Sequence, residues 1–192
     1  MITFFDTETT HKKPEQARIV SISYIAFSDD GTQELHMAHT IVKPDNFIIP
    51  EETIRIHGIT NEIAQAVGID ARAAIIPFMH IVARSTYVMA FNRHYDTTAL
   101  EHEAQFYPEI PISTLNSARQ RCVMLAAAQA MKLPNAYGYE SYAWPKLAQA
   151  YTWLFQQAME GAHNSLADTR AAAWVAFGLR DAGLWDFETE RC

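Results

Sequence analysis

Asp6 and Glu8 stand at the end of an apolar run, Ile2, Phe4 and Phe5, that reads as a buried first strand. Residues two apart in a strand share a face, so the two carboxylates lie side by side in that reading. Like charges so close repel, and each raises the pKa of the other. A divalent cation is the usual partner of such a pair; a polar strand end with both carboxylates in water is the alternative. Two further carboxylates occupy comparable places. Asp96 follows the run TYVMAFNRHY and falls at or within the first turn of the next helix, while Asp168, in HNSLADTR, falls in the first turn of the last helix. The helix dipole favours an acidic group there, which accounts for each one singly. Four of them, each beside a strand end or a helix start, are harder to explain one at a time. Oxygen ligands without Cys or paired His suit a hard ion, Mg²⁺ or Mn²⁺, and not zinc. Two such ions about 4 Å apart clamp the attacking and leaving oxygens in phosphoryl transfer. That chemistry needs a base. His163 lies five residues before Asp168, and imidazole titrates near neutral pH.

These residues must be carried by a particular set of elements. Arg18–Phe27 is rich in β-branched and aromatic residues and reads as a second strand. SDDGT, residues 28–32, supplies a turn, and Glu34–Val42 continues as a third strand, giving an antiparallel meander. Pro50–Ile54 starts a helix that His57-Gly58-Ile59-Thr60 interrupts, and Thr60 begins another. Ala71–Arg84 reads as a helix, Thr86–Phe91 as a buried strand and His94–Phe106 as a helix. A short strand near Arg121–Leu125 follows, then helices over Leu125–Met131 and Lys146–Phe155. Ser165–Ala182 is a helix of small apolar residues, with Gly183 as its stop. Strands first, then strands alternating with helices, predict an α/β sheet with helices on its faces.

The 192 residues fit one domain spanning 1–192, and 49% apolar with 19% charged residues is a globular balance, not a disordered one. No stretch approaches the roughly 20 apolar residues of a membrane helix. The first ten residues lack a basic n-region, so the expected location is cytoplasmic, with no membrane partner. Cys122 and Cys192 give no disulfide framework. A net charge of −7 argues against gripping long duplex through a basic face. It leaves open an enzyme acting at one nucleic-acid end, since two divalent ions would offset four of those charges.

FFDTETT, FNRHYD and HNSLAD, in that order and at these separations, resemble the three exonuclease motifs of the DEDD superfamily, in its proofreading-exonuclease-like group. The third motif reads H-x-x-x-x-D, with Asn164 where a sister subgroup carries tyrosine, so the chain is similar to the histidine-bearing (DEDDh) subgroup and to the proofreading subunit of bacterial replicative polymerases. IPEETIRIHGIT, CVML and the run WPKLAQAY…EGAHNSLAD resemble the connecting segments, so the likeness extends from Ile2 to about Ala182. It implies a ribonuclease H-like mixed sheet, antiparallel in its first three strands and then parallel, flanked by helices. It also implies that Asp6, Glu8, Asp96 and Asp168 bind two Mg²⁺ or Mn²⁺ ions, with Asp6 bridging both. His163 would deprotonate the water that attacks the terminal phosphodiester, releasing nucleoside monophosphates from the 3′ end of single-stranded or frayed DNA. An RNA-trimming 3′→5′ exoribonuclease and a non-catalytic, polymerase-associated binding module are the alternatives.

The resemblance further places Thr7 and His57 near the terminal nucleotide and has Asn92 orient the site. Their ordinary readings are a strand residue, a turn residue and a helix cap. Two departures stand out: His11 where a glycine commonly follows DTETT, and Phe91 where a histidine commonly precedes Asn92. Neither replaces a metal ligand, but both bear on how the terminal base and strand are held. Tyr137, Tyr139, Tyr142 and Trp144 are available to stack unpaired bases or to serve as core and cover. Lys12, Lys13 and Arg18 are available to phosphates or belong to a solvated loop. The chain ends DFETERC soon after its last helix, without the longer tail by which the proofreading subunit holds its polymerase. A stand-alone or differently recruited enzyme is therefore expected, with any polymerase or repair partner docking on the folded surface.

Overall fold

Side-chain alternation along the first strand sets the architecture, because each of its faces is covered by a different helical layer. The computed structural model describes residues 1–135, 141–159 and 164–188. Strands β1 (Ile2–Thr9), β2 (Ile19–Phe27) and β3 (Glu34–Ile41) form the antiparallel meander. Helices α1 (Glu51–His57), α2 (Asn61–Val67) and α3 (Ala71–Val82) lead to β4 (Tyr87–Ala90), which pairs parallel with β1. Then come α4 (Arg93–Ala104), α5 (Ser113–Ser117) and β5 (Gln120–Cys122), which pairs parallel with β4. Helices α6 (Val123–Met131), α7 (Leu147–Phe155) and α8 (Ser165–Asp181) complete the order. The five-stranded sheet runs β3-β2-β1-β4-β5. This is the expected mixed sheet flanked by helices.

Phe5 and its neighbours Ile22, Tyr24 and Val88 pack with Phe78 and Met79 of α3 and Ala99 and Leu100 of α4. Ile2 and Phe4, with Ile25, Phe27 and Met89, pack with Ala173, Ala176 and Phe177 of α8 on the opposite face. Phe4 meets Phe177 edge-on at 5.3 Å between ring centroids. Both faces being covered, β2 is buried at every position and loses the alternation of a half-exposed strand. The small residues of α8 let it approach the sheet closely, and it ends as expected, with Gly183 in the left-handed conformation (φ 68°). Among the described residues no helix is long and apolar enough to cross a membrane.

Element boundaries differ from expectation in two places. The short strand lies at 120–122 rather than 121–125, and α6 starts directly after it because the carbonyl of Phe91 accepts the amide of Met124 at 2.9 Å. The sequence after Pro111 gives no clear period, yet α5 forms there and buries Leu115 in the core shared with α3 and α4. Tertiary packing outweighs weak local preference at that point.

A buried ion pair ties the sheet to α4. Glu103 is fully buried, accepts from Arg18 Nε at 2.8 Å and Nη2 at 3.1 Å, and also takes the amide of Ile19 at 3.0 Å. The Arg18 guanidinium lies over the rings of Phe106 and Phe47 at 4.1 and 4.5 Å. Arg18 is thus committed to structure rather than to phosphate. Arg18→Ala leaves Glu103 uncompensated, and we expect a loss of about 3–5 kcal/mol in urea unfolding. A loss under about 1 kcal/mol would mean the pair does not hold α4.

Candidate active site

The two faces of β1 deliver its polar end residues to different helices. Asp6 and Glu8 follow Phe4 onto the α8 face, where Asp168 sits in the first turn of α8. One carboxylate oxygen from each of Asp6, Glu8 and Asp168 lies within 4.8 Å of the others. Thr7 points the other way, towards α4. Its backbone amide and its hydroxyl both donate to Asp96 Oδ1, at 3.0 and 2.7 Å. Asp96, 4% exposed, does not join the three-carboxylate group but lies close enough to raise the pKa of Asp6. One β-strand thereby contacts every carboxylate in the set.

The electrostatics follow from burial and crowding. Desolvation, then repulsion from Asp96, Glu8 and Asp168, holds Asp6 well above the usual carboxylate range. Burial, with Asp168 and Asp96 adding to it, pushes Glu8 from its ordinary 4.5 up to about 8. Burial also raises Asp96, to about 7, although the two bonds from Thr7 favour its charged form. Carboxylates in this condition either take up protons or share a cation. The donor set fits a hard divalent ion: three carboxylates in one group, without a Cys or His among them.

The N-terminus of α8 is fixed by Asn164, whose side chain accepts from the amides of Leu166 and Ala167 at 3.2 Å. Below it, Ser165 Oγ meets Ser23 Oγ at 2.7 Å, and Ser23, the cross-strand partner of Asp6, reaches His39 Nδ1 at 2.9 Å. These contacts set where Asp168 stands. The sequence reading placed Asn164 only as a subgroup marker and passed over Ser23, His39 and Ser165. Counting strand alternation past Asp6 identifies the faces of Thr7 and Ser23; the His39 contact has no local signal.

Thr7, Glu8, Lys12, His57 and Tyr95 line a cavity of about 200 Å³ beside the carboxylates. His57 Nδ1 accepts from the amide of Ile59 at 3.1 Å, which assigns the ring proton of the neutral histidine to Nε2, a buried atom with no partner. Gly58 makes that turn by adopting φ 75°. Asn92 precedes α4 but makes no side-chain cap bond; its carbonyl accepts from Tyr95 and Asp96. Both departures from the motif have structural uses. The carbonyl of His11 accepts the hydroxyls of Tyr95 and Thr9, closing the loop after β1, and Phe91 packs against the core on the α8 face. His163, Tyr137, Tyr139 and Cys192 lie outside the described residues; Tyr142 and Trp144 lie within them.

The raised values fix a pH dependence. Without a cation, folding favours protonated carboxylates, so their stabilising contribution is complete below the unfolded value near 4.5 and is lost as pH rises through about 8. Thermal unfolding in EDTA should therefore fall between about pH 5 and 8, and saturating Mg²⁺ should restore most of the loss at the upper end. Superimposable curves with and without the metal would mean that these carboxylates do not share one.

A comparison with curated protein sequences finds no significant match. Among solved structures, Escherichia coli Exonuclease I in complex with a dT13 oligonucleotide superposes with TM-score 0.74 at 17% identity, over 93% of this chain and 40% of that one. A moderately thermophilic Exonuclease I from Methylocaldum szegediense gives TM-score 0.74 at 21% identity, over 94% and 40%. A full-length 3′-exonuclease gives TM-score 0.74 at 15% identity, over 95% and 61%. The chain spans about two fifths of the length of the Exonuclease I proteins, and the likeness establishes the ribonuclease H-like fold. The family model of the RNase T type, described as Exonuclease, matches residues 3–176. The chain belongs to the RNase T exonuclease family.

Proposed function

We propose that the chain is a single metal-dependent 3′→5′ exonuclease domain of the histidine-bearing subgroup, which removes nucleoside monophosphates from single-stranded or frayed DNA. The observation that carries this reading is the meeting of Asp6, Glu8 and Asp168 within 4.8 Å, beside an Asp96 held by Thr7. Single-stranded DNA is favoured because an Exonuclease I of the same fold was crystallised with dT13.

Asp6, Glu8 and Asp168, with Asp96 beside them, are the residues that would hold two divalent ions. Bound there, Mg²⁺ or Mn²⁺ would acidify the attacking water and steady the leaving oxygen. Thr7 keeps Asp96 oriented, so its side chain acts on the ligand set rather than on the nucleotide alone. His57 lines the cavity beside Glu8, where the terminal nucleotide would be bound, and keeps a buried Nε2–H without a partner. Asn92, free of a capping bond, orients the approaching strand. His163 takes the proton from the water, a role drawn from the third motif.

The test is degradation of labelled single-stranded, duplex and mismatched DNA alongside RNA, with and without Mg²⁺. Asp6→Asn and Asp168→Asn should each abolish turnover while leaving the fold intact, and His163→Ala should lower kcat by about 10²–10⁴. Full turnover by either aspartate variant would falsify the site. Faster loss of RNA than of DNA would move the substrate to RNA, and binding without any metal-dependent product would leave a non-catalytic module.

A further inference from the structure

Ser21 of β2 is fully buried, and its hydroxyl has no hydrogen-bond partner among the described residues. The sheet register defines what surrounds it. Ser21 stands directly opposite Glu8 of β1 and, on its other side, opposite Ile41 of β3. Cross-strand partners share a face of the sheet, so Ser21 belongs to the carboxylate face, with an apolar side chain to one side and Glu8 to the other. Ser23, two residues along that face, is already committed to His39 and Ser165. Glu8 is in the complementary condition. Burial and the charges of Asp168 and Asp96 act on its carboxylate, and no hydrogen bond among the described residues relieves it. A donor without an acceptor and an acceptor without a donor thus occupy opposite positions on adjacent strands. The Cβ atoms of such a pair are about 5 Å apart, a gap that a serine hydroxyl and a glutamate side chain can span by rotation about their own bonds. One oxygen of Glu8 suffices to meet Asp6 and Asp168, which leaves the second to accept. The other face of β1 already shows such a pairing, where the Thr7 hydroxyl holds Asp96 Oδ1 at 2.7 Å.

We propose that Ser21 is a positioning residue of the carboxylate site, its hydroxyl donating to one oxygen of Glu8 while the other oxygen meets the cation. A buried hydroxyl without an acceptor is unfavourable, and an ionised carboxylate supplies the stronger kind of bond it lacks. Donors behind a ligating carboxylate fix its direction and raise the affinity of the site. The inference rests on the metal-dependent reading of the carboxylates, and its test separates the two.

Mn²⁺ uptake is measured without nucleic acid, by electron paramagnetic resonance of the free ion, for the full chain and its Ser21→Ala, Glu8→Ala and doubly substituted variants. Thermal unfolding of the first two chains is followed in EDTA. Ser21→Ala should bind Mn²⁺ about 10–100-fold more weakly. Its midpoint in EDTA should be no lower than that of the unaltered chain, because the hydroxyl has no acceptor in the fold itself. In the Glu8→Ala background the same substitution should change Mn²⁺ affinity by less than about twofold, since the effects of two groups in contact do not add. Equal Mn²⁺ affinity for Ser21→Ala and wild type overturns the role, and so does an equal loss in both backgrounds. A lower midpoint in EDTA also overturns it, by showing the hydroxyl bonded elsewhere in the fold. A wild-type chain that takes up no Mn²⁺ defeats the metal reading and the Ser21 role together. A wild type that binds, beside a Ser21→Ala variant that binds equally, defeats the role alone.

Discussion

Crowding acidic oxygens into a partly desolvated pocket is unfavourable, and much of the structure exists to make that arrangement stand. The repulsion is visible in the raised values of Asp6 and Glu8, where the neighbouring carboxylates add to burial, while burial alone raises Asp96. The fold offsets it with apolar contact on both faces of β1, so the carboxylates ride on a strand that cannot retreat into solvent. A cation removes the conflict instead of enduring it. Stability and metal affinity are thus two views of one electrostatic arrangement.

The same requirement explains the division of labour among the supporting groups. Thr7 places two donors on one oxygen of Asp96, favouring its ionised form and fixing its direction. Asn164 caps α8, and Ser23 grips Ser165 from the strand that pairs with Asp6, so Asp168 is held relative to Asp6 through two short paths. Arg18 and Glu103 fasten α4 to β2 from the far end of that helix. Each device controls the position of an acidic side chain without touching the substrate. Three further arginines, Arg72, Arg170 and Arg180, are likewise paired with carboxylates.

The departures from the usual motif text have a similar logic. His11 contributes its carbonyl to the tyrosine beside Asp96, and its own Nδ1 accepts from Lys13 at 3.0 Å, so the loop after β1 is closed by hydrogen bonds. Phe91 exchanges a polar position for core packing on the α8 face. Both residues serve internal order, and His11 does so at the wall of the cavity beside Glu8.

The sequence by itself indicated most of the strands and helices and an α/β sheet, through local period and capping, and set Asp6, Glu8, Asp96 and Asp168 beside strand ends or helix starts; the mixed ribonuclease H-like sheet followed from the resemblance of the three motifs. The period-two rule was enough to pair Asp6 with Glu8. It was not enough to separate Asp96 from the three-carboxylate group, to spend Thr7 on Asp96, or to form α5 after Pro111. Those outcomes depend on which helix covers which face of β1, and on contacts between residues that lie from about 30 to 160 positions apart. Local preference is blind at that range, and only the packed sheet with α4 on one side and α8 on the other decides it.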